Sequence, residues 1–214
     1  MKGHMVQIAP LEDEDFKLMS QWLRPSVASA LGSGKQDFFR ADQLKEDIIN
    51  DSNTNYVTIL THDGEKIGFV TWKKLQYEGS YELGGIVGDH HLWDSGCGAE
   101  ATVLVMDHLF QHKNAHRIQF ITGLFNKRTM SMLMNNKKVV MEGILRDYNF
   151  VDGKYYDAVI WSVLRDEYYS MEEYGQPTTV IPEQDKKQIE EDFYKFLQEN
   201  WDSQIYNKLV QARR

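Results

Sequence analysis

The 214-residue sequence predicts an α/β fold, helices packed on a sheet. Three observations predict it. The first is two strand–turn–strand patterns, Tyr56 to Leu60 with Lys66 to Leu75 around Asp63-Gly64, and Val139 to Phe150 with Tyr155 to Leu164 around Asp152-Gly153. The second is helical spacing of apolar residues at Ala99, Val103, Leu104, Met106, Leu109 and Phe110. The third is the stretch Trp93-Asp-Ser-Gly-Cys-Gly-Ala-Glu-Ala101 between the apolar run Leu83 to Val87 and that helix, which reads as strand, glycine turn, helix.

The elements follow in order. Val6 to Ala9 is a short strand. Pro10-Leu11-Glu12-Asp13 opens a helix with acids in its first turn, and Arg24-Pro25 stops it. Ser26 to Arg40 reads as loop, Ala41 to Asn50 as helix. After the hairpin from Tyr56, Tyr81 to Val87 is a third strand. The helix behind the glycine turn runs to about Lys113, and His116 to Thr122 alternates as a strand. Asn126 to Asn136 reads as helix, and the second hairpin closes the domain, set at residues 6–168. Residues 169–182, with Gly175, Pro177 and Pro182, read as a linker. Residues 183–212 form one amphipathic helix, with Ile189, Phe193, Phe196, Leu197, Trp201, Ile205 and Leu209 on one side. An isolated helix is marginal in water, so this face is expected to pack on the domain or on a second protomer as a homodimer. Trp201 or Tyr206 would line the substrate entrance if the helix folds back.

Composition narrows the partners. The sequence is 42% hydrophobic and 26% charged, ordinary for a soluble globular protein. No apolar run approaches bilayer length and the N-terminus has no signal-peptide pattern, so no membrane association is expected. A single cysteine excludes an internal disulfide and fits a reducing, cytoplasmic setting. The net charge of −8 argues against duplex nucleic acid and suits a cationic partner such as an amine. Met1 to Met5 reads as an expression remnant rather than part of the fold.

The glycine turn carries the clearest chemistry. Gly96 and Gly98 let backbone approach a ligand closely, and the following helix adds unpaired N–H groups and its positive dipole end. That is an anion site, most simply for phosphate. It lacks the Gly-Lys-Ser/Thr ending of nucleotide-triphosphate loops. A β-rich stretch precedes it, which does not suit a dinucleotide fold. Cys97 inside the turn reads as a small filler. The adjacent pair His90-His91 would point apart in extended chain with no third ligand spaced for it, so no metal is expected.

The order of elements, with Trp93, Gly96, Gly98, Glu100, Ala101, Arg117-Ile118, Thr122, Asn126, Met130, Glu142-Gly143, Arg146, Gly153 to Asp157 and Leu164 to Glu167, resembles the GNAT superfamily of acyl-CoA-dependent N-acetyltransferases. Within it the chain is most similar to the branch acting on ribosomal-protein N-termini and spermidine. The resemblance implies a GNAT fold, with a mixed, mostly antiparallel sheet flanked by helices and here a long C-terminal helical extension. It spans residues 6–168 and not the C-terminal helix. Three departures stand out. Asp94-Ser95 replace the frequent basic residue of the turn; Asn136 to Val139 stand where a Lys-Leu-Gly-Phe-like segment usually precedes Glu-Gly, with one extra residue between Asn126 and Met130; and no tyrosine lies between Asn126 and Asn136 to protonate the leaving thiolate.

The resemblance also implies a site. Acetyl-CoA would be the cosubstrate, its pyrophosphate on the N–H groups of Ser95, Gly96, Cys97, Gly98 and Ala99. Its pantetheine arm would pair with the strand ending at Ile86 and Val87. Asn126 would tie that arm or cap its helix, and both can hold. Glu82 is the first candidate base for the amine, ahead of Asp89 and His90. Ser131 or Thr129 would give the thiolate its proton. Three readings remain: a transferase acting on an N-terminus, polyamine or small amine; an acyl-CoA-binding sensor or subunit without turnover; and a transferase using an aminoacyl-tRNA donor, which the acidic balance disfavours.

Overall fold

The computed structural model describes residues 1–32, 36–136, 139–170 and 180–200. The strands are β1 (Val6–Pro10), β2 (Thr54–Thr61), β3 (Lys66–Lys74), β4 (Ser80–Val87), β5 (Arg117–Gly123), β6 (Val140–Val151) and β7 (Lys154–Leu164). The helices are α1 (Asp15–Trp22), α2 (Val27–Gly32), α3 (Ala41–Asn50), α4 (Cys97–His112), α5 (Lys127–Asn135), α6 (Arg165–Tyr169) and α7 (Glu183–Asn200). The seven strands form one sheet in the order β1-β2-β3-β4-β5-β7-β6. Every neighbouring pair is antiparallel except β4 and β5, whose crossover is α4. This is the GNAT fold with its C-terminal helix.

Both predicted hairpins form. At the second, Asp152 and Gly153 both have positive φ, the backbone that an Asp-Gly two-residue turn needs to match strand twist. Alternation divides the sheet into two faces. Tyr81, Leu83, Ile118 and Val163 pack with Leu104, Val105, Leu109 and Phe110 of α4. Phe69 and Ile86, on the other face, pack with Phe16 and Met19 of α1 and Leu44 of α3. A third cluster seats Met130 and Leu133 of α5 on Val159 and Trp161 of β7.

Two expectations are corrected and one helix is added. Ser26 to Arg40 contains α2, started by a reciprocal pair in which the Ser29 and Ser26 hydroxyls engage each other's backbone N–H. Past the second hairpin, Leu164 to Glu167 opens α6, because the Glu167 carboxylate accepts the Leu164 N–H at 2.7 Å. Met1 to Met5 belongs to the fold: Lys2 bridges to Gln7, and Glu100 of α4 accepts the N–H groups of His4, Met5 and Val6 at 2.7–2.8 Å. Burial pushes the Glu100 carboxyl up, but these three donors outweigh it and hold it below its usual range.

One buried ion pair fixes α1 to the sheet. Asp15 is 2% exposed, accepts the Thr58 hydroxyl and the Glu12 N–H, and pairs with Lys66. Its Oδ1 has the ammonium as ion-pair partner without an aligned hydrogen bond.

The chain divides into two compact units, Met1–Met171 and Glu172–Arg214. In the second, α7 leaves Ile189, Phe193 and Phe196 more than half exposed while Leu197 is buried. Trp201, Ile205, Tyr206 and Leu209 lie outside the described residues. No helix among the described residues is long and apolar enough to cross a membrane.

Candidate active site

The site forms where β4 and β5 part. Their parallel pairing runs from Ser80↔Arg117 to Leu83↔Phe120 and ends there, although β4 continues to Val87 and β5 to Gly123. The gap beyond Leu83 has the glycine turn at the far end of β4.

In that turn Gly96 is the N-cap of α4 at φ 88°, left-handed backbone that glycine enters without a Cβ penalty. Gly98 sits against β4, where an added Cβ would meet Val87 Cγ2 at 3.0 Å. The five expected N–H groups are not equivalent. Ser95 N–H turns inward to the Leu92 carbonyl at 3.2 Å, closing the short 3-10 turn His90–Leu92. Cys97 N–H is taken by the Ser95 hydroxyl at 3.2 Å. Gly98 and Ala99 lie in the first turn of α4, whose N–H groups have no helical acceptor. They and Gly96 are the donors left for an anion. The Cys97 side chain is buried in the core under α4.

The strand edge is also shifted from expectation. Gly88 N–H bonds to the Ile67 carbonyl, and the β3–β4 register continues without a bulge to Lys73↔Glu82. In an antiparallel ladder bonded pairs alternate, so Ile86 spends its backbone on β3. Gly85 and Val87 therefore carry the groups that face the gap. The Ile86 side chain is buried on the α1–α3 side. Val87 carbonyl accepts the Trp93 indole N–H at 2.7 Å, which ties the turn back to the strand.

Asn126 caps α5 by accepting the Thr129 N–H at 3.1 Å. Its amide also donates to the Leu31 carbonyl at 3.0 Å. The next residue, Gly32, lies on β4 so closely that a Cβ there would stand 2.7 Å from the Gly85 carbonyl. The end of α2 thus bridges the gap from β4 to the α5 cap. Both ends of Asn126 are engaged, including the amide that would tie a pantetheine arm.

Glu82 lies two residues before Gly84, on the sheet face opposite α4. Its Oε2 accepts from Gln119 Nε2 at 2.8 Å across β4–β5. Gln119 Oε1 accepts from Arg117 at 3.0 Å, Arg117 holds Glu142 of β6 with two bonds of 2.6 Å, and the Ser162 hydroxyl of β7 donates to Glu142 at 2.7 Å. Arg117 holds the Glu142 carboxyl below its usual range despite burial, with Ser162 assisting. The proton-donor candidates separate. Met130 and Leu133 mark the buried side of α5; Thr129 flanks it half-buried, while Ser131 is exposed, one helical turn beyond Arg128.

His90 and His91 do not diverge. The 3-10 turn takes them out of extended chain and brings their rings to 3.8 Å between centroids, tilted by 39°. One ligand atom each from Asp89, His90 and His91 falls within 4.8 Å of the others, all three residues being exposed. Sequence reasoning missed Arg128. It reaches from α5 to the turn, pairs with Asp94 through Nε at 2.6 Å, and lies over the Trp93 ring at 5.2 Å. Its signal was the position two residues after a helix-capping asparagine.

Residues 6–137 match the family model described as Acetyltransferase (GNAT) domain. The N-acetyltransferase p20 of Bacillus licheniformis, itself uncharacterized, is 28% identical over 167 residues, 74% of this chain and 90% of that protein. Among solved structures, spermidine N-acetyltransferase from Vibrio cholerae in complex with CoA and spermine superposes with a TM-score of 0.68 at 19% identity, over 76% of this chain and 97% of that one. A SpeG spermidine N-acetyltransferase chimera from Vibrio cholerae and hSSAT gives 0.67 at 20%, over 77% and 98%. With the parted strands, the glycine turn and the matched residues in agreement, the chain belongs to the GNAT family of acetyltransferases.

Proposed function

We propose that the protein transfers the acetyl group of acetyl-CoA to a primary amine by direct attack, and that polyamines are the acceptors to try first. The observation that carries this reading is the junction of β4 and β5. Backbone N–H groups of Gly96, Gly98 and Ala99 stand at one end, and a half-buried carboxylate, Glu82, stands two residues before the strands part.

Each residue then has a defined task. Gly96, Gly98 and Ala99 take the pyrophosphate, and Arg128 offsets the Asp94 charge beside a turn that has Asp94-Ser95 in place of a basic residue. Gly85 and Val87 offer backbone to the pantetheine amides. Glu82 takes a proton from the acceptor ammonium. The neutral amine nitrogen then bonds to the acetyl carbon as the carbon–sulfur bond breaks; the nitrogen's second proton passes to the Thr129 oxygen as that hydroxyl hands its own proton to the departing thiolate, so Thr129 ends unchanged. Holding both reactants at one junction is itself a large part of the acceleration. The similarity to spermidine N-acetyltransferases and the net charge of −8 support a cationic acceptor.

Isothermal titration with acetyl-CoA, followed by CoA release over a panel of spermidine, spermine, N-terminal peptides and small amines, tests the reading. Binding with amine-dependent release is the expected result. A second reading, acyl-CoA binding without transfer, is favoured by α5 itself, which has no tyrosine. Binding with no release over the whole panel would establish it.

A further inference from the structure

We infer that Gln119 is a positioning residue for the base: it pins one oxygen of Glu82 and leaves the other free to take the proton of the amine. The inference rests on the reading of Glu82 as that base.

The argument starts from register. Glu82↔Gln119 and Gln119↔Ser162 are directly opposed pairs, so their side chains share the sheet face away from α4. An amide side chain can present either its oxygen or its nitrogen to a neighbour. Here the choice is forced from behind. Arg117 has donors only, so Gln119 must turn Oε1 to it and Nε2 to Glu82. Arg117 is in turn held by the two-bonded fork to Glu142, and Glu142 by Ser162. The donors run in one direction along this branch, from Arg117 to Gln119 to Glu82. The Glu82 oxygen that receives Nε2 is therefore favoured as a carboxylate oxygen. Its other oxygen, Oε1, has no hydrogen-bond partner among the described residues.

The remaining charged groups near Glu82 are few. Lys73 is its directly opposed partner on β3 and is exposed, with no ion pair to Glu82. Arg117 and Glu142 neutralise each other through their fork. The α2 helix over β4 carries no charged side chain. Gln119 is thus the closest polar contact the carboxylate has, and removing it strips a donor from the charged form.

Two variants test this. In Gln119→Leu the donor that holds the Glu82 carboxylate is gone, so kcat for spermidine should fall several-fold and the acid limb of its kcat/KM profile should move, while the KM for acetyl-CoA stays the same. Gln119→Met keeps the length of the side chain without its donor and should do the same; this variant decides the matter if Gln119→Leu does not fold. An unmoved limb and an unchanged kcat in a folded variant overturn the inference, while a turnover defect in Glu82→Gln would leave the base standing. If Glu82→Gln keeps the parent's rate and profile, the base reading falls, and the positioning role falls with it.

Discussion

The two sides of the β4–β5 junction are built from different material. On the side proposed for the cofactor the groups are backbone: N–H donors at Gly96, Gly98 and Ala99, and strand edge at Gly85 and Val87. On the side proposed for the acceptor they are side chains from four strands, Glu82, Gln119, Arg117, Glu142 and Ser162, joined into one network. A backbone site tolerates exchange of most neighbouring side chains and fails when a Cβ intrudes. A side-chain network keeps its fold through many exchanges but changes its charge state with each. The two sides should therefore answer mutation differently, one in affinity and the other in pH profile.

The sharpest control lies away from both. The Asp15–Lys66–Thr58 cluster is a polar network that joins α1 to β2 and β3. Asp15→Asn leaves the Lys66 ammonium with the exposed Glu12 carboxylate as its remaining partner and should cost about 1–3 kcal/mol in a denaturant titration. Burial raises the Asp15 carboxyl, but Lys66, Thr58 and the Glu12 N–H outweigh it, so its folded value is lowered. The stabilisation is thus complete above the ordinary carboxylate range and disappears as pH falls through the lowered value. Acid unfolding of the parent should show this loss, and Asp15→Asn should lack it. The kcat/KM acid limb of the same variant should not move, unlike that of Gln119→Leu.

Next in size is the backbone side. Gly98→Val pushes against Val87 and crowds the anion, and should weaken acetyl-CoA binding by roughly tenfold or more, about 1.4 kcal/mol, by calorimetry. Its melting temperature should fall only slightly, and binding equal to the parent's would remove the turn from the site. Asn126→Ala removes a helix cap worth about 1 kcal/mol and the tie to Leu31. If the α2 bridge shapes the gap, the KM for acetyl-CoA should rise with that loss of stability. A stability loss with unchanged KM would confine Asn126 to the cap. Smallest is Arg128→Ala, an exposed contact to Asp94 and Trp93. It should raise the acetyl-CoA KM a few-fold, more at low salt than at high salt, since exposed charge is screened.

The sequence alone determined what is local. Hairpins announced themselves through Asp-Gly turns, α4 through its apolar spacing, and the anion turn through two glycines between a strand and a helix, because each depends on residues within one turn or one pleat of each other. Glu82 was legible as a strand carboxylate for the same reason. What only the tertiary structure decided is long-range. Gln119 reaches Glu82 across 37 positions, and Asn126 reaches Leu31 across 95. Arg128 finds Asp94 through the fold, not through spacing. The assignment of the strand edge to Gly85 and Val87 instead of Ile86 came from register, since a slip of one residue would exchange them. Thr129 and Ser131 have the same chemistry in the same helix, and helical rotation leaves the first half-buried and the second exposed. A helix or a turn is chosen by neighbours in sequence; which side chains meet is chosen by strand pairing and helix rotation, and those are settled only when the core packs.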